Sequence, residues 1–361
     1  MTEFIKKRVL IIGTDGLPAR YGGFETLVAQ LAQVKEYSEL IQVDVQTSAH
    51  QRDKHPTRFG EFRIHYTKIK PNGVWSIIYD ALGLWAGYRK KYDIIICLGV
   101  SVGPALLLRG LFKFRSQIVV NVDGVEWRRE KWNFLARSVL KLSERFCVAN
   151  ADKIIADNQG IVDYLVNQYP KLDSSKVAMI PYGGDQFRVR VVPINNSRKI
   201  FCLSRIEPEN NVDMILSAVS ESNTQCIYYG NWEISPYSRR LYSDFGPKID
   251  LRLPEYNVGK LSEEREQCHY YVHGHSAGGT NPSLVEAMHS GHSVIAFDCI
   301  YNRYTTKNEA YYFKSKEELL LLLRQIEQDT LEPNADKMLE IAQDFYTWKS
   351  VADDYLRCMG I

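Results

Sequence analysis

The sequence has 361 residues, of which 45% are hydrophobic and 24% are charged, and this is ordinary for a globular enzyme of about two domains. It contains no run of about 18 apolar residues and no signal-peptide cleavage pattern, so we expect neither a membrane-spanning helix nor secretion. The seven cysteines are scattered without CxxC spacing, which predicts reduced, buried thiols and excludes a disulfide scaffold.

The net charge of +2 is divided unevenly along the chain. Residues 1–180 hold 26 Lys and Arg against 18 Asp and Glu, a difference of +8, whereas the remainder holds 19 against 25, a difference of −6. A basic first half predicts contact with an anionic surface or ligand. The alternative is drift of surface charge without a function.

The first half of the chain alternates predicted strands and helices. A buried strand at 8–13 leads through a loop rich in Gly and Pro into a helix at 24–37. The loop is not GxGxxG, which excludes a dinucleotide fingerprint. Gly22 and Gly23 precede the helix, where backbone can approach a ligand closely. Further strands are predicted at 41–47, 62–67, 93–98, 117–122, 153–156 and 177–180, and further helices at 77–88, 102–112, 133–148 and 160–169.

A second alternation follows a weakly patterned segment, which we interpret as a hinge. Its predicted strands are 199–203, 225–229, 249–253, 270–273 and 293–297. Its predicted helices are 211–220, 262–268, 284–290, 317–327 and 337–357. The fold class is therefore α/β, with two Rossmann-like domains facing across a cleft. The predicted domains are 1–185 and 186–342. A helix in 343–361 is expected to pack back on the first domain.

The segment from His273 to Asp298 predicts a phosphate-binding loop. A short strand ends at His273, a Gly-rich loop follows, and a helix opens at Asn281-Pro282-Ser283. Pro282 suits a first helical turn, and Asn281 or Ser283 can cap it. The free N–H groups and the dipole of such a helix suit a phosphate, and Glu286 is placed to reach a sugar hydroxyl. The alternative is an ordinary β-loop-α unit with a capped helix.

Two acidic residues follow the strand at 117–122. Ligands of open α/β sheets bind beyond the carboxyl ends of strands, and Asp123 and Glu126 lie at such an end. They are candidates for orienting an acceptor hydroxyl, while the alternative is a turn residue at Asp123 and a solvated charge at Glu126.

Several motifs resemble the retaining glycosyltransferases of family 4, which have the GT-B fold. The general motifs are the segment SRIEPENN at Ser204–Asn211, residues 281–288, residues 293–298 and the linker 181–185. More narrowly, residues 11–28, 123–127 and 273–288 resemble the bacterial β-1,4-rhamnosyltransferases that build capsule and cell-wall polysaccharides. The resemblance covers nearly the whole chain, and it implies that domain 1–185 binds an acceptor and domain 186–342 binds a nucleotide-sugar donor.

The resemblance implies transfer of L-rhamnose from dTDP-β-L-rhamnose to a sugar, glucose in the first instance, on an undecaprenyl-diphosphate-linked acceptor. Arg205 would bind the donor diphosphate and share the catalytic role with Asp123 and Glu126, and Glu286 would accept from the deoxyribose 3′-OH. The implied donor-binding residues are Gly22, Gly23, Arg205, Asn210, His273, Gly278, Gly279, Thr280, Asn281, Pro282, Ser283, Leu284 and Glu286.

Two positions depart from the wider family. That family carries a second Glu seven residues before the position of Glu286, where this chain has Gly278. It also carries a Lys shortly after the Arg, where this chain has Asn210. A 6-deoxy sugar lacks the O6 hydroxyl, so a smaller and less polar pocket fits a rhamnose donor.

The sequence predicts chemistry without a metal or cofactor, because no DxD pair follows a strand, and it predicts no nucleic-acid partner. Arg205 and helix dipoles would then stabilise the departing dTDP. Two alternatives are a glycosyltransferase with a UDP- or GDP-sugar donor and a GT-B nucleotide-sugar epimerase. A non-catalytic nucleotide-sugar sensor is a third.

The basic first half also predicts docking on the cytoplasmic face of the plasma membrane. Residues 105–115 and 127–132 mix bulky apolar and basic side chains, and Arg137, Lys141 and Arg145 recur at helical spacing. The alternative places the leucines at 106–108 in the core and the charges on a solvated face.

Overall fold

The computed structural model describes residues 6–19, 22–50, 54–71, 73, 75–110, 115–125, 127, 133–187 and 198–361. The chain divides into two compact units. Unit 1 comprises residues 1–181 together with 348–361, and unit 2 comprises residues 182–347. These divisions lie four residues before the predicted hinge at 185/186 and five residues after the predicted boundary at 342/343.

Unit 1 is built on an eight-stranded sheet in the order β3-β4-β2-β1-β5-β6-β7-β8. Every pairing in it is parallel except that of β3 with β4. The central strands are continuously apolar because helices cover both faces of such a sheet. The strands are β1 (Lys7–Ile12), β2 (Ile41–Ser48), β3 (Arg58–Phe59), β4 (Phe62–Thr67), β5 (Ile94–Leu98), β6 (Gln117–Asn121), β7 (Lys153–Ala156) and β8 (Val177–Met179).

The helices of unit 1 connect these strands. Asn133 and Asn158 cap two of them, each accepting a hydrogen bond from a first-turn N–H at 2.9 Å. The helices are α1 (Gly23–Leu31), α2 (Lys35–Leu40), α3 (Trp75–Arg89), α4 (Gly103–Leu106), α5 (Phe134–Asn150), α6 (Gln159–Gln168) and, from the far end of the chain, α14 (Trp348–Met359).

Unit 2 carries a six-stranded, wholly parallel sheet in the order β11-β10-β9-β12-β13-β14. Its strands are β9 (Ile200–Leu203), β10 (Cys226–Tyr229), β11 (Asp250–Arg252), β12 (Tyr270–His273), β13 (Ser293–Phe297) and β14 (Tyr311–Phe313). Its helices are α7 (Val212–Ser220), α8 (Pro236–Phe245), α9 (Val258–Arg265), α10 (Pro282–His289), α11 (Ile300–Thr305), α12 (Lys316–Glu327) and α13 (Ala335–Phe345).

Several predicted elements were wrong in their extent. The helix predicted at 24–37 ends at Leu31, and α2 begins separately at Lys35. The helix predicted at 337–357 is two helices that meet at Tyr346 and Thr347, and the second of them belongs to unit 1. The sequence analysis missed β3, α8, α11 and β14. Of these, β3, α11 and β14 are short, and α8 is rich in polar residues.

Candidate active site

The β12-loop-α10 segment of unit 2 brings together most of the predicted donor-binding residues. The loop starts at Gly274, where a Cβ would lie 2.1 Å from the Asn210 carbonyl oxygen, so only glycine permits this close approach. Ser276 ties the loop further, because its N–H and its hydroxyl both donate to the Glu209 carbonyl, at 3.0 and 2.8 Å. The segment 208–211 therefore supports the loop that leads into α10.

Glu286 lies on α10 and is almost fully buried. Burial raises the pKa of its carboxyl, and two donors oppose that shift. Arg265 Nη2 lies 2.9 Å from Oε2, and Gln186 Nε2 lies 2.9 Å from Oε1. Both carboxylate oxygens are thus oriented by named side chains of the same unit.

Asn281 is the N-cap residue of α10, and Pro282 occupies its first turn. The expectation that the Asn281 or Ser283 side chain would cap the helix was wrong, because neither bonds a first-turn N–H. The Ser283 hydroxyl donates instead to Asn281 Oδ1 at 3.0 Å. Pro282 has no N–H, and the N–H groups of Leu284 and Val285 donate to the Asn281 carbonyl at 3.0 and 3.3 Å. The first-turn N–H that can meet an anion is therefore that of Ser283.

Tyr271 joins this helix start to the end of β12. Its hydroxyl lies 3.0 Å from Ser283 Oγ and 3.2 Å from His273 Nδ1. His273 is buried and stacks on His275 with ring centroids 4.4 Å apart. Burial lowers the pKa of His273 to about 3, so the ring is neutral at physiological pH. It can serve only as a neutral hydrogen-bonding group.

Arg205 and Asn210 occupy the segment after β9, and the structure gives them different surroundings. Asn210 is buried, and its amide donates to the Arg205 carbonyl at 2.7 Å, so its side chain holds the segment together. The Arg205 side chain is 37% exposed, with Nε 3.7 Å from Glu207 Oε2. Arg205 is the cation of this segment that a solvent-borne anion can reach.

The remaining predicted loop residues differ in accessibility. Gly278 has φ +117°, and a Cβ there would have no neighbour within 4 Å. Gly279 is half-buried and Thr280 is buried. Leu284 is fully buried in the core, and its N–H donates to the Asn281 carbonyl at 3.0 Å.

The predicted residues of unit 1 lie beyond the strand ends β1 and β6. Gly22 is the N-cap residue of α1, with φ 121°, and Gly23 begins the helix. The buried Glu25 carboxylate accepts from the Thr14 hydroxyl at 2.6 Å and from the Asp15 N–H at 2.8 Å. A Cβ at Gly22 would lie 2.2 Å from that carboxylate, so a side chain at this position would collide with Glu25.

Asp123 adopts a left-handed conformation with φ 60°, and its N–H donates to Asn121 Oδ1 at 3.0 Å. Glu126 lies outside the described residues, as do residues 111–114 and 128–132 of the basic segments. Within the parts of the chain that are described, no group of three or more His, Cys, Asp or Glu residues could hold a metal ion. No helix among them is long and apolar enough to span a bilayer.

The sequence analysis missed Arg265 and Gln186 as neighbours of Glu286. Arg265 ends a polar helix, and Gln186 lies in the segment interpreted as a hinge. Neither position carries a periodic or motif signal. The buried ion pair is visible only once α9 and α10 are packed together.

A family model described as "Domain of unknown function (DUF1972)" matches residues 6–185. No curated protein matches the sequence. Among solved structures, sucrose-phosphate synthase from Thermosynechococcus elongatus matches with a TM-score of 0.79 and 15% identity, covering 98% of both chains. Alr3699/HepE from Anabaena, in complex with UDP-glucose, matches with a TM-score of 0.71 and 12% identity over 98% of this chain and 99% of that one.

A third structure, the lipopolysaccharide outer core galactosyltransferase WaaB, matches with a TM-score of 0.68 and 12% identity over 99% of both chains. Likenesses of this strength over nearly complete chains identify the fold. The two parallel-sheet units form the GT-B architecture, and the predicted fold class is confirmed.

Proposed function

We propose that the protein is a glycosyltransferase whose unit 2 binds a nucleotide-sugar donor. The observation that carries the proposal is the arrangement around α10. The helix start follows a Gly-containing loop, and the oriented carboxylate of Glu286 lies on the same helix. This arrangement can place a phosphate oxygen on the Ser283 N–H at the helix start and a nucleotide sugar hydroxyl on Glu286. The fold shared with nucleotide-sugar enzymes supports it.

For the donor we propose dTDP-β-L-rhamnose. Gly278 replaces the acidic residue of the wider family, and Asn210, in place of the family's Lys, is used inside its own segment. The two departures remove contacts to a sugar and its phosphate, and a less polar pocket suits a 6-deoxy sugar. Structures of the same fold are described in complex with UDP or UDP-glucose, so UDP-sugars are the alternative donors to test.

The proposed mechanism is retaining and uses no metal. Arg205 and the N-terminus of α10 would stabilise the departing diphosphate, because both direct positive charge or N–H dipoles at developing negative charge. A donor phosphate oxygen would take the acceptor proton on the face from which the diphosphate leaves. Asp123 and Glu126 would orient the acceptor hydroxyl in this scheme, without acting as an obligatory base.

The proposed acceptor is a sugar, glucose first, on an undecaprenyl diphosphate lipid at the cytoplasmic face of the plasma membrane. The surface of unit 1 supports a lipid-bound substrate. Helix α3 exposes large apolar side chains at helical spacing, with Trp75 61% exposed, and α5 does the same, with Phe134 86% exposed. Helix α4 packs against both. The exposed residues are Trp75, Ile78, Leu82, Trp85, Leu107, Leu108, Phe134, Leu135, Val139 and Leu142.

The charged residues of α3 and α5 are distributed as binding to an anionic surface requires, with acidic side chains buried and basic side chains exposed. The two acidic residues of α3 and α5, Asp80 and Glu144, are both buried. The basic residues Arg89, Lys141 and Arg145 face solvent. We name the exposed apolar residues together with these three cations the apolar–basic face. Such a combination binds anionic lipid headgroups while its bulky side chains enter the interface.

The test is a nucleotide screen followed by a transfer assay. We expect dTDP to raise the melting temperature more than UDP or GDP does, and radiolabelled rhamnose to pass from dTDP-rhamnose to a glucosyl-diphosphate lipid. A rise in melting temperature with UDP alone would indicate that the donor is a UDP-sugar and not dTDP-rhamnose. Conversion of the donor without any acceptor would favour an epimerase, and nucleotide binding with no turnover would favour a sensor.

A further inference from the structure

The buried ion pair of unit 2 suggests a role for Arg265 that extends the proposed function and rests on it. Arg265 ends α9, and its side chain is 1% exposed. Its guanidinium carbon lies 4.4 Å from the centre of the Phe187 ring and 5.3 Å from that of Phe201. The cation is therefore packed against two aromatic rings, which restricts the orientation of its N–H fork.

That fork is directed at α10. Nη2 donates to Glu286 Oε2 at 2.9 Å, and Nη1 donates to the Ser290 hydroxyl at 3.3 Å. Ser290 in turn donates to the Glu286 carbonyl at 2.8 Å. Arg265 thus contacts the residue that carries the carboxylate through both its side chain and, by way of Ser290, its backbone.

Burying a charged arginine is costly unless it is paired, and replacing such a pair by apolar residues is often neutral for stability. A buried pair is therefore weak support for a purely structural role. Glu286, in contrast, needs this partner for binding, because a protonated carboxyl carries an O–H donor and keeps fewer acceptor sites for the nucleotide's sugar hydroxyl.

We propose that Arg265 is the positioning residue of the donor site, which holds the Glu286 carboxylate ionised and oriented for the nucleotide's sugar hydroxyl. The groups around the carboxylate agree with this role. Gln186 supplies a neutral donor, and Tyr271 is a phenol whose pKa is raised by burial. His292 lies beside Arg265, and burial lowers its pKa to about 3. Arg265 is the cation among these groups at physiological pH.

The experiment measures nucleotide binding to the full chain by calorimetry, with dTDP, UDP and GDP as probes, from about pH 5.5 to about pH 8.5. Arg265→Met is expected to weaken binding about tenfold or more at neutral pH. It should also move the acid-side loss of affinity to higher pH, because the carboxyl without its cation protonates earlier. Arg265→Lys should restore part of the affinity and should move the acid-side loss of affinity part of the way back to the pH seen for the parent protein.

Arg252→Met is the matched control, because Arg252 pairs with Asp250 and Glu264 of the same unit. It should leave both the affinity and its pH profile unchanged. In a Glu286→Gln background, Arg265→Met should cost little further affinity, since residues that act through one another are not additive.

Affinity and pH profile of Arg265→Met equal to those of the parent, or fully additive losses in the double variant, would overturn the positioning role and leave the proposed function intact. A parent protein that binds none of the three nucleotides would overturn both. If Arg265→Met does not fold, Arg265→Lys decides. Weaker binding with an unchanged melting temperature supports the role, and unchanged binding overturns it.

Discussion

The Asn121 side-chain amide donates a hydrogen bond of 2.9 Å to the Tyr355 hydroxyl, across 234 residues of chain. Tyr355 lies on α14 and is buried, so the last helix is anchored at the carboxyl end of β6. The other amide atom of Asn121, Oδ1, accepts from the Asp123 N–H. One side chain therefore links α14 to the loop that carries a proposed acceptor-orienting residue.

Tyr355→Phe should lower the free energy of unfolding by about 1 kcal/mol, because it removes this bond and leaves the buried amide without its partner. Urea denaturation of the purified protein measures the change. Lys349→Ala on the same helix is the control, since its exposed ion pair with Asp353 contributes little. Equal stability of Tyr355→Phe and the parent would show that the bond contributes nothing.

Asp123→Asn should reduce the rate of transfer without changing nucleotide affinity, because the proposal places Asp123 at the acceptor hydroxyl and not at the donor. Initial rates at saturating donor, together with calorimetric nucleotide binding, separate these effects. An Asn variant that transfers at the parent rate would remove Asp123 from the mechanism.

Stability should fall with rising pH because of Asp80. Burial raises the pKa of this carboxyl from about 3.8 to about 7, although the Ser101 hydroxyl donates a hydrogen bond to it. The folded state therefore favours the protonated form. The stability that this preference contributes is complete below about pH 4 and is lost as pH rises to about 7.

Asp80→Asn stays neutral throughout and can still accept from Ser101. We expect it to raise the free energy of unfolding at about pH 8 by on the order of 2–4 kcal/mol and to change it little at about pH 4. Urea denaturation at the two pH values tests this, with Asp353→Asn as an exposed control. If Asp80→Asn and the parent differed by the same free energy of unfolding at both pH values, the raised pKa of Asp80 would be contradicted.

Two glycines of the donor loop should respond differently to alanine. Gly278→Ala is expected to cost about 1 kcal/mol, from its positive φ alone, because nothing lies within 4 Å of the new Cβ. Gly274→Ala should cost more and weaken nucleotide binding, because its Cβ would meet the Asn210 carbonyl oxygen at 2.1 Å. Melting temperatures and nucleotide affinities measured together check both; a milder effect at Gly274 than at Gly278 would refute the comparison.

The apolar–basic face should bind vesicles that contain anionic lipid. In a flotation assay the parent protein is expected to float with such vesicles and to stay behind with neutral ones. Replacing Trp75 and Trp85 by Ser should abolish flotation. Replacing Leu253 and Tyr256, which are as exposed but lie on unit 2, should not. Failure of the parent protein to float with anionic vesicles would eliminate membrane docking.

The sequence was informative wherever the periodicity was strong. Apart from β14, the parallel strands were predicted to within a few residues, as were most long helices, because buried strands such as β5 are continuously apolar. The break between α13 and α14 was not predicted, because Tyr346 and Trp348 continue the apolar pattern across it and are both buried. Periodicity alone cannot detect that the two halves of that pattern pack in different units.

The candidate site could also be predicted only in part. The loop and helix at 274–286 could be predicted because they depend on local glycine and proline residues, which are visible in the sequence. The pairing of Glu286 with Arg265 could not be predicted. Arg265 precedes Glu286 by 21 residues, and the two side chains meet only in the folded unit. Asn210 was assigned to the donor, whereas the structure uses its amide to close the segment that begins at Arg205.

The place of α14 in unit 1 has a consequence for biosynthesis. A ribosome synthesises residues 1–181 and then all of unit 2 before it makes Trp348–Met359. Until then the apolar surface that receives Val351, Tyr355 and Met359 has no cover, although the eight strands beside it are already synthesised. Unit 1 can thus complete its core only after translation has passed residue 359. A nascent chain stalled within unit 2 would be a substrate for chaperones that bind exposed apolar surface.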